Sequence, residues 1–135
     1  NMGFGITYSL PIILGGLIAE RNGLFIVENP EAHLHPAGQS RMGVFLAWLA
    51  GKGVQVLVET HSDHVLNGVR RAIAEHHYLN AERATVHYFG HRNEEHFVEQ
   101  LSISNEGSIS SWPRGFFDQF QIDVASLGQV RRRRS

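Results

Sequence analysis

Two short stretches concentrate the side chains that can do chemistry. The first runs Glu28, Asn29, Pro30, Glu31, Ala32, His33, Leu34, His35 and Pro36. The second runs Glu59, Thr60, His61, Ser62, Asp63 and His64. Each follows an apolar run, at 24–27 and at 54–58. A carboxylate at the end of such a run can hold a hard divalent cation such as magnesium, directly or through water. An imidazole at a neighbouring strand end can reach a phosphate or orient a water. The same stretches offer a second chemistry. His33 and His35, with His61, Asp63 and His64, are ligands of the kind zinc takes, so the alternative is a zinc-dependent metallohydrolase built on HxH and HxDH clusters.

The elements that must position these residues are legible in the pattern around them. Residues 24–27 (LFIV) form a continuous apolar run, as buried parallel strands do, and 54–58 read as a second such strand. Between them, 28–38 is polar and rich in His and Pro, hence a loop. Residues 39–50 carry Met42, Phe45, Leu46 and Leu49 at helical spacing, closed by Gly51 and Gly53. Ser62 suits the N-cap of a helix over 63–76 with Val65, Leu66, Val69 and Ile73 on one face. Residues 8–19 are apolar and predict a helix despite Pro11, broken by Gly23. Residues 84–89 read as a third strand.

This β-α-β-α-β order predicts an α/β fold with a parallel sheet and flanking helices. Such sheets bind ligands outside the carboxyl ends of their strands, so the two loaded loops should meet on one edge. Beyond residue 90 the pattern changes. Phe97, Glu99, Leu101 and Ile103 alternate, which predicts a half-exposed strand. Residues 105–108 (NEGS) form a turn, and Ile109 opens a partner strand, giving a small C-terminal hairpin. Trp112, Phe116 and Phe117, in WPRGFF, read as core or cap. The chain thus divides at 1–90, 91–130 and a basic tail at 131–135.

Composition sets bounds. The 135 residues are 42% hydrophobic and 19% charged, as a globular domain should be. Formal net charge is -1, and four arginines stand together at 131–134, so the body of the chain is acidic. DNA contact therefore rests on that tail alone, and bulk charge predicts neither nucleic acid nor membrane. There is no cysteine, hence no disulfide and no thiolate metal site. The longest apolar run, 10–19, is interrupted by Pro11, Gly15 and Gly16 and is too short to span a bilayer. Nothing reads as a signal peptide, which makes the cytoplasm the default location.

The order of the motifs resembles a known family. LFIVENPEAHLHP is similar to the Walker B strand and following D-loop of ABC-type ATPases of the RecF, SMC and OLD-nuclease kind, within the wider AAA family. VLVETHSDHVL is similar to their switch-histidine loop. NMGFGITYSLP lies where their glycine-rich signature should be. WPRGFFD looks like the ending of one bacterial branch with a Trp-Pro-x-Gly-Phe-Phe-Asp motif.

The resemblance implies a P-loop-NTPase-like fold and gives residues roles. Glu28 falls on the carboxylate that positions Mg2+, and Asn29 on the usual place of the catalytic Glu. Leu34 and His35 fall in the D-loop, which crosses a dimer interface. His61 falls on the switch His near the γ-phosphate, with Ser62 beside it. Gly3 and Gly5 fall on the signature, which contacts nucleotide from the opposite subunit. An amide cannot take a proton from water, so either hydrolysis is slow or Glu31 or Glu59 serves as base. No GxxxxGK[ST] occurs in the sequence, which implies an upstream P-loop lobe, ATP and Mg2+ bound only by the full protein, and a chain inactive alone. A homodimer or larger self-association follows. Relatives act in DNA repair, chromosome organisation and phage defence. A non-catalytic ATPase-like dimerisation module is a further alternative, and Asn29 is its main support.

Overall fold

The computed structural model describes residues 3–93 and 95–134. Helix α1 (Gly3–Ile18) leads into strand β1 (Leu24–Glu28), helix α2 (Pro36–Gly51), strand β2 (Gln55–Glu59) and helix α3 (Asp63–Ala74). A 3-10 turn (Ala81–Arg83) precedes strands β3 (Thr85–Arg92) and β4 (Glu95–Ser102), and helix α4 (Gln119–Arg134) follows. The architecture is mixed α/β: a small parallel sheet with flanking helices, plus an antiparallel hairpin. Among the described residues no helix is long and apolar enough to cross a membrane.

The element boundaries follow local chemistry. α2 starts at Pro36, three residues before the sequence pattern suggests, with His35 as its extended N-cap. Proline suits the first helical position because its fixed φ is already helical and the N–H it lacks would have no partner there. α3 starts as expected, with the Ser62 hydroxyl accepting the Val65 N–H at 3.3 Å. It ends at Ala74, two residues early. α1 begins at Gly3 rather than Tyr8 and carries Pro11 inside it. The arginines at 131–134 lie in α4, since no proline interrupts the segment and Arg favours helix.

β1 and β2 are adjacent and parallel, as the sequence predicts, with Leu24 opposite Gln55 and Glu28 opposite Glu59. The third strand departs from expectation. β3 does not extend this sheet; it pairs antiparallel with β4, Thr85 opposite Ser102 and Arg92 opposite Glu95. The connection between β3 and β4 is far too short for the crossover that a parallel pair needs. The expected strand at Ile109 reduces to one bridge with Ile103.

One face of the parallel sheet is packed. Val27, Met42 and Leu46 form a buried cluster with Ile12, Ile13, Phe25, Val56 and Val58, which seats α1 and α2 against the sheet. The opposite face is bare: Leu24, Ile26 and Leu57 are 59%, 59% and 58% exposed. α2 and α3 cross through two glycines. A Cβ at Gly43 would collide with the Val65 carbonyl oxygen, and one at Gly68 with that of Ser40. The hairpin packs on α3 through Leu66, Leu101 and Phe116. Phe116 is buried there, while Trp112 stands edge-on to it at 5.1 Å and lies under the Arg70 guanidinium at 6.0 Å.

Candidate functional site

The parallel register sets the site. Glu28 and Glu59 are partners at the carboxyl ends of β1 and β2, so their side chains leave the sheet on the same, bare face. Both are exposed. The ladder continues one step further, the Asn29 N–H donating to the Glu59 carbonyl at 2.9 Å. There the chain turns away, with Asn29 at φ 47 and His33 at φ 60. This left-handed region is steeply unfavourable for most residues, and Asn tolerates it best after Gly. Asparagine at position 29 therefore has a backbone reason, whatever its chemistry.

The turn after β1 is tied to the loop after β2 by a polar network. The Glu31 carboxylate accepts the Thr60 hydroxyl at 2.7 Å and the His61 N–H at 2.8 Å. The Thr60 hydroxyl oxygen accepts the Ser62 N–H at 3.1 Å. The Ser62 hydroxyl donates to Gln39 Oε1 at 2.5 Å, and Gln39 Nε2 donates to the Leu34 carbonyl at 2.9 Å. The path from Glu31 through Thr60, Ser62 and Gln39 thus returns to the turn where it began. Pro30 is fully buried beneath it.

Two side chains stand clear of this network. His61 is 81% exposed and Glu59 67%, with His61 Nε2 4.0 Å from Glu59 Oε1. A carboxylate and an imidazole at that separation can pass a proton through a water or hold a charged ligand. Glu31, by contrast, has both oxygens engaged.

The structure brings Glu28, Asn29, Glu31, Glu59, His61 and Ser62 to one sheet edge. The turn also meets α1. The His33 ring stacks on Tyr8 with centroids 4.2 Å apart, and a Cβ at Gly5 would stand 3.3 Å from the His33 carbonyl oxygen. Gly3 and Gly5 lie in the first turn of α1, rather than in a loop before it. The histidine clusters do not close into a metal centre. Among the described residues no three His, Asp or Glu side chains form a group able to hold a metal ion, and His64 instead faces Asp63 at 3.8 Å. Sequence reading named Thr60 in the second stretch without giving it a role, and it missed Gln39. Thr60 was legible as a hydroxyl beside the strand end, whereas nothing local marks Gln39, whose role comes from the helix start that Pro36 sets.

Two family models match the chain. Residues 1–66 match the model described as AAA ATPase domain. Residues 79–127, which include WPRGFF, match one described as protein of unknown function (DUF3696). No curated protein and no solved structure matches. The first match covers α1 to the start of α3, which holds every residue of the site above, and it supports an AAA-family ATPase.

Proposed function

We propose that the chain supplies the Walker B, D-loop and switch-histidine elements of an ABC-type ATPase of the RecF, SMC and OLD-nuclease kind. The observation that carries this reading is the pairing of Glu28 with Glu59 at one edge, with His61 beside them. The likeness of residues 1–66 to an AAA ATPase domain supports it.

The donor set fits Mg2+ and triphosphate chemistry. Two exposed carboxylates in register are hard oxygen donors, which Mg2+ favours over imidazole. Bound Mg2+ would neutralise charge on the phosphates, with Glu28 as its protein ligand. Glu59 is the group able to accept a proton from water, being a free carboxylate where Asn29 is an amide. His61, exposed on the Glu31-anchored loop, would face the terminal phosphate. Glu31 holds that loop in place. The GxxxxGK[ST] cradle is absent from this sequence, so the β- and γ-phosphates need main-chain donors and a lysine from a separate P-loop lobe. Asn29 and Ser62 would line the nucleotide held beside Glu28, and Gly3 and Gly5 would contact the nucleotide of the opposite subunit. Action in DNA repair or phage defence, and assembly as a homodimer, belong to the same proposal.

Calorimetric titration with MgATP tests the division of labour. The 135-residue chain should bind no nucleotide at micromolar concentration, and the same chain joined to a P-loop lobe should. Micromolar binding by the chain alone would overturn the proposal.

A further inference from the structure

We propose that His91 and His96 form a two-histidine site for a divalent transition-metal ion on the open face of the β3–β4 hairpin. The proposal is independent of the ATPase reading and concerns the other sheet.

The two residues are directly opposite in the antiparallel register. Their rings stand 3.9 Å apart, centre to centre, at 71°. Both are exposed. Among the described residues neither imidazole takes part in a hydrogen bond or an ion pair. Their nitrogens are therefore not committed to any other described residue.

Strand alternation puts Thr85, His87, Phe89 and His91 on this face, opposite Ser102, Gln100, Val98 and His96. Among the described residues of the two strands, no lysine, arginine or carboxylate shares it. Arg92 lies on the other face, its guanidinium 5.3 Å from the centre of the Phe97 ring. That face is also what steadies the hairpin tip. Phe97 lies over Gly90, where a Cβ would collide with its ring, and stands edge-on to Tyr88 at 5.8 Å. The histidines thus project from a backbone held from behind.

Coordination geometry is within reach. An ion about 2 Å from one nitrogen of each ring holds the two ring centres about 5 Å apart. Small side-chain rotations from 3.9 Å reach that distance. His87 cannot be a third ligand, because four strand residues put it about 13 Å from His91. Water completes the shell, which agrees with the absence of any three-residue metal group among the described residues. Neutral imidazole suits Cu2+, Ni2+ and Zn2+, and affinity should rank Cu2+ above Ni2+.

The test is calorimetric titration of the untagged 135-residue chain with Ni2+, alongside His91→Gln, His96→Gln and His87→Gln. Circular dichroism checks that each variant keeps its fold. Loss of either His91 or His96 should weaken binding at least about tenfold, because each removes one of two ligands. His87→Gln should bind like the parent chain. Unchanged affinity in either of the first two variants would place the ion elsewhere and overturn the proposal. So would no binding by about millimolar Ni2+, since a preformed imidazole pair should be occupied there.

Discussion

The Glu31 carboxylate accepts the His61 N–H at 2.8 Å, thirty residues away in sequence. With Thr60 on its other oxygen, Glu31 fixes the loop that presents His61. Glu31→Ala should therefore lower stability by about 1.5–3 kcal/mol, the range for hydrogen bonds to a charged group. It should also speed amide hydrogen exchange at His61. Exchange at His61 unchanged from the parent chain would show that the loop is held by other contacts.

Position 29 makes a prediction that separates backbone from chemistry. Asn29 sits at φ 47, where a side chain with an ordinary Cβ is strained. Asn29→Glu should cost about 1 kcal/mol, and Asn29→Gly should be neutral or stabilising in the folded state. Thermal denaturation of both variants is the check. Equal stability of Asn29→Glu and the parent would remove the conformational explanation for asparagine here.

How far the sequence carried can be judged at particular residues. The apolar runs before Glu28 and Glu59 made the parallel pair legible, because strands buried in a parallel sheet read as continuous hydrophobic stretches. The loaded loops followed from strand ends. What could not be read was the partner of β3. Residues 84–89 are as apolar and alternating as a sheet strand of either kind, and only the reversal before Glu95 decides the pairing. The Glu31 network was illegible for a different reason. Which carboxylate is free and which is engaged depends on contacts between loops, and no local pattern distinguishes Glu31 from Glu59.

The crossing of α2 and α3 depends on Gly43 and Gly68, where a Cβ would strike backbone on the facing helix. Backbone cannot rotate aside as a side chain can. Gly43→Ala or Gly68→Ala should each destabilise by about 2 kcal/mol or more through forced separation of the helices. A chemical denaturation midpoint within error of the parent would contradict that packing.

The bare sheet face predicts association at high concentration. Leu24, Ile26 and Leu57 form an apolar strip of the kind parallel sheets ordinarily cover. Light scattering should report mass above the monomer, and Leu57→Lys should reduce it. A monomer at every concentration up to the solubility limit would count against self-association through this face.

In the proposed nucleotide site, completed by a P-loop lobe, the Glu59 carboxylate, not Glu31, would serve as base. Steady-state hydrolysis of MgATP by the P-loop-containing protein, with ATP binding measured separately, tests it most directly. Glu59→Gln should lower turnover by roughly two to four orders of magnitude while ATP binding stays intact. Turnover reduced by less than about tenfold in Glu59→Gln, with binding unchanged, would contradict the assignment of the base.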